Sequence, residues 1–449
     1  MIAAERILSR RTTAGYAVGS LGTGGFSTLP GLVLVYFLTD TLGVAALLAG
    51  ALVTVDKIWD VVIDPVIGAR SDRSLAVTHS RRRFMVLGGS LIPVFFILTF
   101  AVPAGLDPVV SGLWVFVAFL LTATAFSLFQ VPYIALPAEL VSGYDQRTRL
   151  ITWRVVVLTV AILLFGAGGP ALRSLGGGGH FGYLLMAIVA GLVIGAGMLA
   201  SSTVAPRNVM VPADAPRISI AQNYAAGIRV LKRSRPFRAL MLTFLLQGLA
   251  TGLMLAGAQY VATWVLHSED GVTLLFLALI APALVFAPVW GVVARRLGKE
   301  LAFVIASILY GGAALSLIGL LWAAGDWIYL PVALAGAAYA GMQSLPLAML
   351  PDVISHDAAE HGDGHAGTFS GVWTAGETTG MALGATVLTI VLAVSGYAQS
   401  TAGMTVTQTP EATAGIVVSF SIVPAAIMAF SLIPLSRYRL RKHHIDGAA

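Results

Sequence analysis

Cysteine is absent from the 449 residues, and charge is scarce, with Asp, Glu, Lys and Arg together at 11%. The first absence excludes disulfides, thiolate metal sites and cysteine nucleophiles. The second excludes a water-facing surface, because soluble domains carry roughly 25% charged residues. A phosphate-cradling glycine loop is also missing, which removes ATP-driven pumping. No nucleophile elbow is present, and Gly367-Thr368-Phe369-Ser370-Gly371 has the wrong spacing for a membrane serine protease. The chain is therefore read as not an enzyme, with no cofactor and no resident metal. No RNA- or DNA-reading motif accompanies its net charge of +6.

What is present is hydrophobic, at 57%, and arranged in long runs. A membrane span needs about 20 apolar residues. Twelve such windows are read, near 13–38, 42–69, 84–103, 110–136, 150–171, 181–204, 238–264, 271–294, 300–324, 327–350, 366–394 and 413–436. Arg6, Arg10 and Arg11 precede the first run, which is too long for a signal-peptide core and lacks a small-residue cleavage site, so it reads as an uncleaved span. If the N-terminus is inside, all 27 Lys and Arg except Lys57, Arg154 and Arg173 fall on the cytoplasmic side. The positive-inside rule then puts both termini in the cytoplasm of a multi-pass protein of the cell (inner) membrane.

The expected fold is all-α, with twelve transmembrane helices in two pseudo-symmetric six-helix bundles. Residues 1–204 make the first bundle, 205–237 a cytoplasmic central loop, and 238–449 the second bundle with a basic tail. In the loop, Ile220, Tyr224, Ile228 and Leu231 recur at helical spacing opposite Arg229, Lys232 and Arg233. That pattern fits an amphipathic helix on the inner leaflet, or a simple linker. An internal echo supports the two halves. Pro65-Val66-Ile67-Gly68-x-x-x-Asp72-Arg73 returns as Pro288-Val289-Trp290-Gly291-x-x-x-Arg295-Arg296, 223 residues later. Such repeats build secondary transporters. The Gly-x-x-x-Asp-Arg segment followed by Arg81-Arg82-Arg83 resembles the loop signature of the major facilitator superfamily.

Charges inside spans point to function. The second span carries Asp56, Lys57, Asp60 and Asp64. The three acids are spaced i, i+4, i+8, so each advances about 40° and all share one helix face. Lys57, three residues before Asp60, partly neutralises the group. Carboxylates crowded in a poorly hydrated place repel, and such a pair takes up a proton or attracts a hard cation. Alternatively, Asp56 and Lys57 form a structural pair, and Asp64 caps a kink at Pro65.

Lys57-x-x-Asp60-x-x-x-Asp64-Pro65-x-x-Gly68-x-x-x-Asp72-Arg73 resembles the second-helix signature of the glycoside–pentoside–hexuronide:cation symporter family. Pro132-Tyr133-x-Ala135-Leu136-x-x-Glu139-Leu140 and Tyr144-Asp145-x-Arg147-Thr148-Arg149-Leu150, on to Arg154, are similar to its next motif. Pro351-Asp352-Val353-Ile354, then Gly371-x-Trp373 and Gly380-x-x-Leu383-Gly384, match its last. The resemblance implies that Asp60 and Asp64 bind the coupling ion, Na+ or H+, with help from Ser127. It implies that Arg154 contacts the sugar, which a planar guanidinium suits. The family's sugar-binding acids of spans 1 and 4 fall on Gly24 and Gln130, and its span-11 lysine falls on Thr378. Trp373, Thr378 and Glu377 complete the expected substrate group. Glu377 binds substrate, takes a proton, or is hydrogen-bonded within the bundle. Asp56, Lys57, Asp72, Arg73, Glu139, Asp145, Arg147 and Arg149 are read as a charge network or gate.

The expected partners are a sugar or glycoside and the lipid bilayer, with the protein working as a monomer. The alternative cargo is a lysolipid or an amphiphilic drug-like molecule. His356, His361 and His365, with Asp357, Glu360 and Asp363, form a loop that reads as a metal site, a pH-sensitive gate or plain solvated chain.

Overall fold

The computed structural model describes residues 9–140, 144–207, 228–268, 270–361, 366–401, 406–438 and 440. Among them the chain is helical almost throughout. We number the membrane-scale helices α1 (Arg10–Thr41), α2 (Ala46–Thr78), α3 (Arg82–Phe100), α4 (Pro108–Leu140), α5 (Tyr144–Leu175) and α6 (His180–Ser202). The second set is α7 (Arg235–Trp264), α8 (Gly271–Leu297), α9 (Lys299–Leu321), α10 (Tyr329–His361), α11 (Ala366–Val394) and α12 (Pro410–Ser436). Among the described residues, eleven spans are long and apolar enough to cross a membrane. The helix outside that set is α2, which has the length but also carries Asp56, Lys57, Asp60 and Asp64.

The chain divides into two compact units, Met1–Ile220 with Ser400–Met404, and Ala221–Gln399 with Thr405–Ala449. In the first, α1 packs on α5 and α6, α2 on α4, and α3 on α4 and α6. In the second, α7 packs on α11 and α12, α8 on α10, and α9 on α10 and α12. Adding six to every label of the first set gives the second, so the repeat seen in sequence is a repeat of neighbours. Proline spacing follows the same rule. Pro132 and Pro137 sit late in α4, and Pro346 and Pro351 sit late in α10. Each removes one backbone bond from its helix, a loss that packed membrane helices tolerate.

Close helix approach is set by missing side chains. A Cβ on Gly24 of α1 would stand 2.7 Å from the Ala161 methyl and 3.1 Å from the Leu158 carbonyl of α5. In the second unit, Gly252 of α7 lies directly on the backbone of Met381 in α11. Without lipid-excluding water to drive association, such contact is how membrane helices gain packing energy.

Arg173, one of the three basic residues that do not follow the cytoplasmic pattern of the sequence, also finds its place. Arg173 at the end of α5 is buried, donates from Nη1 to the Tyr183 hydroxyl at 3.2 Å, and lies 5.5 Å from that ring's centre. Tyr183 in turn packs on Phe37 at 4.6 Å. Nearby, the Ser400 N–H donates to the Thr39 carbonyl at 3.0 Å, and Thr401 bridges to Leu42. In the central loop, residues 228–233 are helical, with Val230 buried and Ile228 exposed. Ile220 and Tyr224 lie outside the described residues.

Candidate functional site

The acids of α2 occupy three different settings. The Asp56 side chain is 1% exposed, Lys57 26% and Asp60 16%, and the Lys57 ammonium lies 2.9 Å from Asp60 Oδ2 and 3.5 Å from Asp56 Oδ2. One cation therefore screens two carboxylates, and its flank lies 5.9 Å from the Phe119 ring centre on α4. Asp64, one turn further, is exposed, and the buried Ser127 hydroxyl of α4 stands beside it as a donor. The second Asp60 oxygen, Oδ1, is buried without a hydrogen-bond partner. A buried acceptor left unmet costs about 1–3 kcal/mol. An ion or proton reaching it would recover that cost. The oxygens of Asp60, Asp64 and Ser127 are hard donors of the kind a small cation takes.

Helix α4 carries a series of polar side chains three residues apart. Thr124 accepts from Trp59 Nε1 of α2 at 2.9 Å. Ser127 is next, at Asp64. Gln130 accepts through Oε1 from the Thr23 hydroxyl of α1 at 2.7 Å. Tyr133 donates to the Tyr16 carbonyl at 2.9 Å, with Ser20 Oγ 3.0 Å away. Steps of three turn about 60° backwards around a helix with 3.6 residues per turn. The series thus begins against α2 and ends against α1 and α5.

At its end the Arg154 guanidinium of α5 lies 5.3 Å from the Tyr133 ring centre, and Tyr133 stacks on Tyr16 at 4.7 Å. Arg154 is half-buried, its Nε has no hydrogen-bond partner, and no carboxylate among the described residues pairs with it. The Tyr16 and Tyr133 hydroxyls are its hydrogen-bonding neighbours, and with no carboxylate on it the planar fork keeps donor capacity for a further partner.

In the second unit Trp373 is buried and stacks on Phe244 at 4.3 Å, with its Nε1 unbonded. One turn on, half-buried Glu377 lines a small cavity with Gln247, Tyr339 and Gln343. Gln343 Nε2 donates to the Tyr339 hydroxyl at 2.6 Å, and Gln247 Oε1 is buried without a partner. Thr378 is exposed and bonds the Thr374 carbonyl of its own helix at 3.1 Å, away from this cavity. Gly24, likewise, sits at a helix crossing with no room for a side chain.

Charge pairs brace the helix ends. Arg81 Nε at the start of α3 meets Glu139 of α4 at 2.6 Å and its Nη1 donates to Ser71 at 2.9 Å. The second unit repeats the brace with a different cation, Lys299 at the start of α9 on Asp352 of α10 at 2.6 Å. Arg73 and Arg149 are exposed. Asp72 lies on α2, and Asp145 and Arg147 lie on α5. The side chains of these three are outside the described set. Of the histidine loop, Asp357 is gripped by Arg233 through both oxygens, and His356 Nε2 lies 3.3 Å from Glu360 Oε1. The His361 side chain, Asp363 and His365 fall outside the described residues.

Sequence reading missed Thr23, Tyr16, Tyr339, Gln343 and Gln247. None is charged, and nothing in their spacing marks them. Thr23, Tyr16 and Gln247 are marked only by packing between helices remote in sequence, and the Tyr339–Gln343 pair of α10 only by the cavity it lines.

Two six-helix sets with repeated neighbours and charged groups inside spans are the architecture of a secondary transporter of the major facilitator superfamily. The chain belongs to the MFS/sugar transport protein family, whose profile matches residues 15–442. It is 25% identical to an uncharacterized symporter of Synechocystis sp., over 86% of each chain. It is also 25% identical to the glucuronide carrier protein homolog of Escherichia coli, over 96% of this chain and 93% of that one. The D-xylose-proton symporter crystal structure superposes with a TM-score of 0.66 over 96% of this chain and 97% of that one, at 13% identity. The likeness to the glycoside–pentoside–hexuronide:cation symporters seen in the α2, α4–α5 and α10–α11 motifs holds along the whole chain.

Proposed function

We propose that the protein moves a sugar or glycoside across the cell (inner) membrane together with Na+ or H+, by alternating access and with both termini in the cytoplasm. The observation that carries this reading is the placing of Asp60 and Asp64 one turn apart on α2. One carboxylate oxygen is buried and unmet, and the Ser127 hydroxyl is at hand. The substrate anchor is Arg154, which is free of any described carboxylate and set over Tyr133. Ser127 and Tyr133 are six residues apart on one helix, so the two groups are separated by about 9 Å along α4. Ion and sugar can thus act on the same rigid element, which symport requires, since each must favour the state that binds the other to an equal degree. Glu377, with Tyr339 and Gln343 around the small cavity of the second unit, supplies further hydrogen-bonding groups for hydroxyls.

Uptake into whole cells, over a panel of glycosides and lysolipids with and without sodium, tests the reading. Accumulation of a glycoside that depends on a sodium or proton gradient is expected. Uptake of lysolipid alone would move the cargo to the amphiphilic class.

A further inference from the structure

A cavity of about 910 Å³ opens at the end of the second unit, walled by the start of α7 and the ends of α10 and α12. Four of its lining residues are arginines, Arg233, Arg235, Arg238 and Arg437, against a single carboxylate, Glu360. Arg233 is already occupied by Asp357, and Glu360 is met by His356. Arg235, Arg238 and Arg437 remain, all exposed, and none pairs with a carboxylate among the described residues. Arg238 reaches only the Leu231 carbonyl, at 3.5 Å. Three unpaired guanidinium groups around one cavity, against the single carboxylate of Glu360, leave an excess of positive charge, and a phosphate group relieves it through forked, charge-assisted hydrogen bonds.

The apolar residues below the rim distinguish the source of the phosphate. Leu242 lies four residues after Arg238, and Ile433 and Phe430 lie four and seven before Arg437, so each shares a helix face with the arginine above it. They are 47%, 52% and 62% exposed. Each helix therefore presents a cation at its end and an open apolar surface one or two turns deeper on the same side. A soluble anion has no use for that second part. Phospholipid headgroups bind in basic pockets between transmembrane helices.

We propose that this cavity binds the phosphodiester headgroup of an anionic phospholipid, with its acyl chains lying along Leu242, Ile433 and Phe430. The site is separate from the acids of α2 and from Arg154, and it does not rest on the identity of the transported sugar.

The test uses the full-length protein in detergent, with phosphatidylglycerol or phosphatidylethanolamine added, read by native mass spectrometry and by thermal unfolding. Phosphatidylglycerol should be retained and should raise the unfolding temperature, whereas phosphatidylethanolamine should do neither. The triple variant R235Q/R238Q/R437Q should bind phosphatidylglycerol about a hundredfold more weakly and unfold at the parent's temperature without lipid. R437Q alone, at an exposed position beyond α12, should show a smaller loss in the same direction and serves if the triple variant does not fold. R295Q/R296Q, equally basic at the end of α8 but outside the cavity, should bind like the parent. Equal loss in R295Q/R296Q, equal binding of phosphatidylethanolamine, or release of the lipid by millimolar inorganic phosphate would each overturn the assignment.

Discussion

Asp60 and Asp64 are the same residue type in very different company. Asp60 shares Lys57 with the buried Asp56, while Asp64 is open and answers to Ser127. Asparagine at either position keeps size and one oxygen but removes the charge that a cation or proton would neutralise. We expect Asp60→Asn and Asp64→Asn to abolish accumulation against a gradient while substrate exchange between equal pools persists, as measured with radiolabelled sugar in vesicles. Normal accumulation in both would move coupling elsewhere, with Glu377 the first place to look. Arg154 should behave differently, because on the proposed reading it is the substrate anchor. Arg154→Lys retains charge but loses the planar fork and should weaken sugar binding by about tenfold, roughly one lost hydrogen bond to a charged group. Arg154→Ala should lose binding itself. Titration calorimetry showing parent affinity in Arg154→Ala would make the residue structural.

At the level of helices, the two braces differ in burial and should differ in worth. Arg81 and Glu139 are 12% and 8% exposed, whereas Lys299 is 42% exposed and Asp352 18%. Removing one partner of a buried pair strands the other and costs about 3–5 kcal/mol. An open pair is worth about 1 kcal/mol or less. Glu139→Gln should therefore lower the unfolding temperature clearly, and Asp352→Asn only slightly, in a detergent thermal-shift assay. Similar shifts for the two would mean that burial does not govern them. The same helices show what a sequence can reveal. Hydropathy delimits the stretch in lipid, which is why the second window ends near residue 69 while α2 continues to Thr78, and the tenth near 350 while α10 reaches His361. Backbone hydrogen bonding carries on into water where hydropathy has already fallen. The acid spacing on α2 and the isolated Arg154 could be read directly, since charge in an apolar run is conspicuous. Thr23 on Gln130, Tyr16 on Tyr133 and Lys299 on Asp352 could not, because each joins helices distant in the chain and depends on how they pack.

For the whole molecule, charge placement makes a statement that packing does not. All the arginines and lysines outside α2, apart from Arg154 and the buried Arg173, belong to one set of alternate helix ends. With those ends inside, epitope tags at either terminus should be protected in sealed, right-side-out cells and accessible after permeabilisation. A tag labelled in intact cells would invert the topology.

The repeat of neighbours has a genetic implication. Every extensive helix–helix packing among the described residues lies within one set of six. Two open reading frames, one ending and one beginning within residues 208–227, would encode two polypeptides that each keep these extensive packings within their own set. Ser400 and Thr401 would then have to reach Thr39 and Leu42 on the other polypeptide. A gene of this kind is open to division, and equally to the exchange of one half for that of a relative, so a new cargo specificity can be acquired by recombination in one piece.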